Sequence, residues 1–247
     1  MEVFDLGCRE RQSCSSLVER TMGTGECLFV GSPVYVDRAV PPIVQFLTQL
    51  PLGQSCYGVP FVTWGGVSSG VALLEMAQLL EERGYALLGA AKILAVHSLM
   101  WHCEHPLGEG RPDSEDETLI QKLVSELTSK LQGSHPPLVS LQDLHYQPPD
   151  LELKSWSTSL DIAKKATLLM KLDTQLCNQC GVCQEKCPVQ AIELVPHIRI
   201  GDACIRCYNC ARLCPEEAIE VDLLGLEERI RKRSHEFSER PLSQIFV

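Results

Sequence analysis

Apolar and polar residues in the first 150 positions alternate between two kinds of run. Short, mostly apolar runs are typical of buried strands, and longer runs with apolar residues three and four positions apart are typical of helices packed on a sheet. The predicted strands lie within residues 27–36, 59–64 and 86–96, and the predicted helices lie at residues 41–50, 71–83 and from 114 onward. Because strands and helices alternate, the pattern predicts a parallel sheet with covering helices.

Local signals refine two of these elements. The first strand is expected to turn at Ser32 and Pro33, since proline lacks the amide hydrogen that a strand interior uses. Ser114 and Glu117 have the spacing of a capping box, in which each side chain accepts a hydrogen bond from the other residue's amide. The third helix is therefore expected to begin at this pair.

Two runs of four cysteines near the C-terminus carry the strongest chemical signal. Each run reads C-x2-C-x2-C-x3-C and is followed by proline. This is the spacing of bacterial two-cluster ferredoxins, in which the first three thiolates of a run bind one 4Fe-4S cluster and the fourth binds the other. The predicted ligands are Cys177, Cys180, Cys183 and Cys214 for one cluster and Cys204, Cys207, Cys210 and Cys187 for the other. The spacing predicts electron transfer.

The two cysteine runs also repeat each other. The segment CPVQAIEL recurs 27 residues later as CPEEAIEV, which predicts two pseudo-symmetric units of loop, helix and strand. Disulfides and zinc sites are the alternatives for these cysteines. The N-terminal residues show no signal segment, which favours a reducing cytoplasm over a disulfide-forming compartment. Zinc sites generally use separated C-x2-C pairs, so continuous runs favour iron-sulfur clusters.

Length and charge narrow the remaining possibilities. The cysteine-rich part occupies residues 170–224 of 247, so a second domain is expected. No uncharged apolar run approaches the length of a membrane span, and none is predicted. The net charge of -10 argues against nucleic acid or an anionic membrane surface as the main partner. Redox proteins with a basic docking patch are the expected partners.

The loops after the first two predicted strands resemble the flavin-ring loops of flavodoxin-like domains. They read GSPVYVDRAVPP and VTWGGVSSG, and they lie beyond the carboxyl ends of the strands, where open sheets bind ligands. Together with the cysteine runs they resemble the flavodoxin-ferredoxin fusion proteins common in anaerobic prokaryotes. The resemblance implies an α/β flavodoxin-like, doubly wound parallel sheet, followed by a small α+β two-cluster 4Fe-4S ferredoxin domain.

The same resemblance implies noncovalently bound FMN. The residues implied to surround its ring are Ser32, Pro33, Val34, Tyr35, Thr63, Trp64, Gly65 and Gly66. The glycines let backbone amides approach the ring, and Tyr35 or Trp64 is expected to stack on it. The alternative is that both aromatic side chains merely cap the sheet.

One part of the flavodoxin-like pattern is missing. The family's first strand leads into a hydroxyl- and glycine-rich loop that holds the FMN phosphate at a helix N-terminus. Residues 1–6 match the second strand instead, and residues 21–25, which have a suitable composition, precede a strand. We therefore expect a sheet that is incomplete at the N-terminus and a truncated chain. Such a chain binds FMN poorly, while its ferredoxin domain still assembles.

The predicted organisation has four parts. They are a flavodoxin-like domain at residues 1–132, a linker or wrapping arm at 133–169, a ferredoxin-like domain at 170–224, and a C-terminal helix and tail at 225–247. The predicted function is single-electron transfer through two 4Fe-4S clusters and, in the intact architecture, FMN. The alternatives are a flavin-dependent oxidoreductase of a small substrate, or a redox-sensing or docking module with a non-functional flavin site.

A group of potential metal ligands follows the third predicted strand. His97, His102, Cys103, Glu104 and His105 lie close together in the sequence, but no second ligand pair stands at a zinc-like distance. An ordinary loop is therefore expected here.

Overall fold

A computed structural model describes residues 2–7, 23–133, 135–166 and 170–247. The strands are β1 (Cys27–Tyr35), β2 (Arg38–Ala39), β3 (Cys56–Trp64), β4 (Tyr85–Leu87), β5 (Ala90–Leu94), β6 (Lys171–Leu172), β7 (Ile192–Glu193), β8 (Arg199–Ile200), β9 (Ile219–Glu220) and β10 (Gln244–Phe246). The helices are α1 (Pro41–Gln49), α2 (Ala72–Glu82), α3 (Ser114–Leu131), α4 (Pro149–Trp156), α5 (Leu160–Ala166), α6 (Val182–Glu185), α7 (Asn209–Arg212) and α8 (Leu223–Phe237). None of the helices in the described residues is long and apolar enough to cross a membrane.

A mostly parallel sheet forms the centre of the molecule. β1, β3 and β5 run parallel in that spatial order, with Cys27 opposite Tyr57 in the first pairing and Phe61 opposite Ala91 in the second. β4 pairs with the first residues of β3, β2 folds back on the end of β1, and β10 lies antiparallel along β5. The carboxyl ends of the three parallel strands therefore meet at one edge of the sheet.

Helices cover both faces of this sheet. α1 and α2 pack on one face, in a core cluster that includes Ala90. Leu123 and Leu127 of α3 pack on the other face, in a cluster that includes Ala91. Successive residues of a strand point to opposite faces, so the neighbours Ala90 and Ala91 belong to different layers. The predicted alternation of strands and helices is confirmed, and the arrangement is compatible with an α/β fold.

The predicted turn at Ser32 and Pro33 is wrong. β1 continues through both residues, because the Ser32 hydroxyl accepts a hydrogen bond from the amide of Val40 at 3.1 Å and ties the strand to the segment after the turn. The chain reverses instead at Val36 and Asp37, whose φ angles are 51° and 63°. Two consecutive residues with positive φ give the tight hairpin that joins β1 to β2.

The capping box of α3 lies one residue before the predicted pair. Asp113 accepts a hydrogen bond from the amide of Asp116 at 3.2 Å, and Asp116 accepts one from the amide of Asp113 at 2.9 Å. Carboxylates are favoured at the positive end of the helix dipole, and Arg111 forms ion pairs with both of them. The prediction of Ser114 and Glu117 is therefore wrong by one position.

Among the described residues, the edge of the sheet beside β1 has a strand partner only near its carboxyl end. Residues 2–7 form no strand, so the predicted match of residues 1–6 to a strand of the sheet is wrong for the part that the structure describes. Within the described ranges only β2 pairs with this outer edge, at Val34 and Tyr35. A groove of about 1220 Å³ lies along the edge. Residues 21 and 22 of the glycine-containing segment considered for the FMN phosphate lie outside the described residues.

The arm and the tail pack against the same sheet. Val139 in the arm is buried, and its amide donates to the carbonyl of Leu87 at 2.9 Å. Glu239, between α8 and β10, is buried beside Lys92 of β5, with 2.5 Å between Oε1 and Nζ. Glu239 also accepts a hydrogen bond from the Gln147 amide group at 2.8 Å. This network connects the tail to β5 and to the arm.

Candidate metal centres

The cysteine-rich part is built twice, with a spacing of 27 residues. α6 is repeated by α7, and β7 is repeated by β9, each at this spacing. β6 pairs with β9 and β7 pairs with β8, both antiparallel. The prediction of two units of loop, helix and strand is confirmed.

Each cysteine loop has left-handed residues at matching positions. Gln179 and Gly181 in the first loop have φ angles of 59° and 85°, and Arg206 and Tyr208 in the second both have a φ of 55°. Alternation between right- and left-handed backbone turns amide groups toward a common centre, which is a geometry that Fe-S sites use. The Arg206 amide donates to the sulfur of Cys204 at 3.4 Å. The loops therefore present backbone donors as well as thiols.

The eight cysteines of the two runs line two small cavities. One cavity is lined by Cys177, Cys180, Cys183 and Cys214, and the other by Cys187, Cys204, Cys207 and Cys210. The fourth cysteine of each run thus lies with the first three of the other run. Ile198 and Ile219 close the first cavity, and Ile192 and Ile200 close the second. Four thiols with apolar walls are a donor set that fits a cubane with four iron corners.

Burial works against ionisation of the innermost thiols. The pKa of Cys210 is raised to about 12, chiefly by burial and also by the nearby sulfurs of Cys207 and Cys204. Burial also raises the pKa of Cys183, which occupies the matching position in the first unit. Because the thiolate is the metal ligand, an iron centre must displace a proton from each of these buried sulfurs.

Comparison with known families bears on the first unit. Residues 170–193 match the 4Fe-4S binding domain family. This 4Fe-4S binding domain contains all four cysteines of the first run, so it supports at least one 4Fe-4S cluster and a role in iron-sulfur electron transfer. No curated protein matches the chain.

A separate cavity of about 290 Å³ lies where the sheet meets the second cysteine loop; it is named here the interface cavity. Six of the residues implied to surround a flavin ring line it: Pro33, Val34, Tyr35, Thr63, Trp64 and Gly65. The other two do not. Ser32 is engaged with the Val40 amide, and Gly66 faces the side chain of Leu107. The interface cavity therefore brings together most of the implied ring site.

The two aromatic residues of the ring loops have different surroundings. The indole of Trp64 is 2% exposed, and its Nε1–H donates to the carbonyl of Leu242 at 2.8 Å. It therefore caps the sheet and holds the tail, as the alternative reading expected. Tyr35 also lines the interface cavity, and the pKa of its hydroxyl is raised by burial and by the neighbouring Cys207.

His97 forms another wall of the interface cavity. Gly65 allows its close approach, because a Cβ at this position would lie 2.7 Å from the imidazole Cδ2. His97 Nδ1 accepts a hydrogen bond from the amide of Leu99 at 3.3 Å. Burial lowers the pKa of His97 to about 4, so the ring is neutral at neutral pH and adds no positive charge to the cavity.

The second cysteine loop contributes a wall of the interface cavity that the sequence patterns did not predict. Ile205, Arg206 and Tyr208 are buried and line the interface cavity. The Arg206 guanidinium donates to the carbonyl of Lys164 in α5 at 2.6 Å. The sequence does contain a signal that this loop packs against another part of the protein, since apolar Ile205 stands where the first repeat has polar Asn178.

Proposed function

We propose that the protein carries single electrons through two 4Fe-4S clusters. In this proposal the first cluster is bound by Cys177, Cys180, Cys183 and Cys214, and the second by Cys187, Cys204, Cys207 and Cys210. The observation that carries it is the grouping of the eight thiols around two cavities, four at each. The family match at residues 170–193 adds support for the first unit.

The proposal extends to a flavin in the interface cavity. A bound FMN supplies a group that holds one or two electrons, which suits exchange with a one-electron cluster. Support comes from the six residues of the ring loops that line this cavity and from its shared wall with the second cysteine loop. In this arrangement Tyr35 stacks on the ring and neutral His97 packs beside it without exchanging a proton at neutral pH.

Weak FMN binding is part of the proposal. Arg206 is the cation in the part of the cavity wall that the structure describes, and the Lys164 carbonyl already engages its guanidinium. His97 is neutral, so the FMN phosphate finds little counter-charge in the wall. We therefore expect the ring, and not the phosphate, to supply most of the affinity.

The two clusters are proposed to act in sequence. The second cluster lies against the interface cavity, because Ile205 and Tyr208 line both its own cavity and that one. The first cysteine loop is more open, and Cys180 is exposed. Electrons therefore pass between an external redox protein and the first cluster, then to the second cluster and the flavin. The same groups serve either direction of flow.

Iron, acid-labile sulfide and flavin counted on one anaerobically purified sample test this function. Two clusters give about eight irons and eight sulfides per chain. We expect flavin well below one per chain as purified, and saturable uptake when FMN is added during equilibrium dialysis. An iron count near four would contradict the second cluster, and stoichiometric flavin as purified would contradict the weak phosphate binding.

A pair of variants in α5 tests the place of the flavin. Ala163 lines the interface cavity, whereas its neighbour Ile162 is exposed. Ala163→Trp fills the cavity and should weaken FMN uptake at least tenfold, while Ile162→Trp, the matched control, should leave it unchanged. Both variants should keep the same iron count. Equal uptake by the two variants would place the flavin elsewhere or nowhere on this chain.

A further inference from the structure

A group of three potential metal ligands lies outside the cysteine runs. His102 and Cys103 follow β5 and the turn at Ser98–Met100, and Glu227 comes from α8. His102 Nε2 lies 3.4 Å from the sulfur of Cys103 and 3.7 Å from Oε2 of Glu227. The three ligand atoms all lie within 4.8 Å of one another. The sequence pattern around His102 lacked a further ligand at a suitable distance. Glu227 provides it from a helix more than a hundred residues later in the chain.

These separations match those of ligands around one tetrahedral ion. Zinc binds nitrogen and oxygen at about 2.0–2.2 Å and sulfur at about 2.3 Å, so tetrahedral ligand atoms lie roughly 3.3–3.8 Å apart. Both measured distances fall in this interval. The third separation, between the Cys103 sulfur and the Glu227 carboxylate, is within 4.8 Å, and both side chains are partly exposed.

We propose that His102, Cys103 and Glu227 bind a zinc ion. Imidazole, thiolate and carboxylate together favour zinc over calcium and magnesium, which prefer oxygen ligands alone. Three protein ligands leave a fourth position for water or another small ligand. The expectation of an ordinary loop at residues 97–105 is replaced by a site that uses two of its residues, whereas His97 lies in the interface cavity and His105 pairs with Glu109.

The surrounding groups are compatible with a bound cation. Arg231 engages Oε1 of Glu227 at 2.7 Å, which leaves Oε2 facing His102. Nδ1 of His102 is buried and has no hydrogen-bond partner among the described residues, whereas Nε2 is the ring nitrogen that faces both Cys103 and Glu227.

The position of the site gives it a structural effect. Ser98 and Leu99, just before His102, line the interface cavity, as does Leu226, the neighbour of Glu227. A zinc ion here joins the segment after β5 to α8 and so fixes two walls of that cavity relative to each other. The site is thus independent of the clusters and adjacent to the proposed flavin.

Zinc counting and X-ray absorption at the zinc edge test the site on the full chain with its clusters in place. Iron does not interfere at this edge. We expect one zinc per chain with one sulfur at about 2.3 Å and nitrogen or oxygen neighbours at about 2.0–2.2 Å. A shell of four sulfurs would mean that zinc occupies the cluster cysteines, and no bound zinc would mean that the three side chains form only a hydrogen-bonded group; either result overturns the proposal.

Matched variants on the loop and on α8 locate the ion. Cys103→Ser and Glu227→Gln each remove a proposed ligand and should weaken zinc binding by more than the roughly 10–100-fold that loss of an outer-shell partner costs. His105→Gln changes a nearby exposed histidine outside the group and should leave zinc binding unchanged. All three should retain the wild-type iron count, which separates loss of zinc from misfolding. Equal zinc binding by Cys103→Ser and His105→Gln would refute the assignment.

Discussion

The two cysteine loops share their spacing and backbone shape, yet they face different surroundings. In the first loop Asn178, Gln179 and Cys180 are exposed, and in the second the matching Ile205 and Arg206 are buried while Cys207 is partly buried. Glu216 lines the first cysteine cavity, whereas Val189, its counterpart in the repeat, lines the second and packs against the main core. The cysteine spacing is the same in both loops, and the residues between the cysteines decide what each loop contacts.

This difference assigns unequal tasks to equivalent sites. In the proposed function, a first cluster behind polar, exposed residues would be accessible to another protein, while a second cluster behind Ile205 and Tyr208 would exchange electrons inside the molecule. Burial, charge and hydrogen bonds to sulfur set cluster potentials, so the two sites should also differ in potential. Four sets of substitutions test this difference between the loops. They change the cluster ligands, a buried charge, a backbone position and a surface charge.

The largest effect is expected when two ligands are removed together. Cys177→Ala with Cys214→Ala removes two ligands of the proposed first cluster, so about four irons should remain. Cys177→Ala with Cys187→Ala removes one ligand from each cluster, although both cysteines belong to the same run, and should lose iron from both sites. Iron and sulfide analysis after anaerobic purification measures this. The reverse ranking of the two variants would show that each run binds its own cluster.

Arg206 and Gln179 occupy matching positions in the two loops, and substitutions at these positions should change the two cluster potentials unequally. The buried positive charge of Arg206 lies beside the proposed second cluster and favours the reduced form of that cluster. Arg206→Gln removes this charge. We expect the potential of that cluster to fall by on the order of 60 mV, a tenfold change for one electron. Gln179→Arg adds a charge at the exposed counterpart, where solvent and salt screen it, and should raise the first potential by much less.

A redox titration followed by electron paramagnetic resonance measures both potentials. The paired cysteine variants assign each signal to a cluster, and circular dichroism checks that the Arg206→Gln protein remains folded after losing its bond to the Lys164 carbonyl. Equal shifts in the two variants would mean that the loops are equally solvated, which would remove the basis of the comparison.

Features encoded locally were predictable from the sequence. Cysteine spacing follows from the geometry of the cluster, and the alternation of apolar runs predicted the strands around β1, β3 and β5. Small errors arose where several side chains compete, as at the cap of α3, where Arg111 favours Asp113 over Ser114. The match of residues 1–6 to a strand failed because pattern alone does not supply a pairing partner.

Features that depend on distant contacts were not predictable in the same way. β10 has three residues, too few to show an alternation, and it is fixed by β5 and by the pairing of Lys92 with Glu239. The His102, Cys103 and Glu227 group likewise requires α8 to return to the sheet. The sequence shows a difference between the cysteine loops, since polar Asn178 stands where the other loop has Ile205. That Ile205 is buried depends on the neighbouring sheet, which the loop sequence does not specify.

A smaller effect is expected at the left-handed position that the loops share. Gly181 has a φ of 85° with open space around its Cα, whereas its counterpart Tyr208 adopts a φ of 55° and is buried. Gly181→Ala should therefore destabilise the protein by roughly 1–2 kcal/mol through backbone strain alone. Chemical denaturation under anaerobic conditions measures the change, with Gly110→Ala, another open glycine with positive φ, as the control. A loss far above this range would indicate a steric or ligand role for Gly181.

The smallest effect concerns the surface of the first loop. Glu216 is exposed, accepts a hydrogen bond from Asn178 at 2.9 Å and lines the first cysteine cavity. If a basic partner docks here, its electron-transfer rate should fall as salt rises, and Glu216→Gln should lower the low-salt rate a few fold and flatten the salt dependence. A basic c-type cytochrome serves as the acceptor in stopped-flow measurements. Glu117→Gln, on exposed α3 across the sheet, is the charge-matched control. Equal effects of the two substitutions would mean that overall charge, and not the first loop, guides the partner.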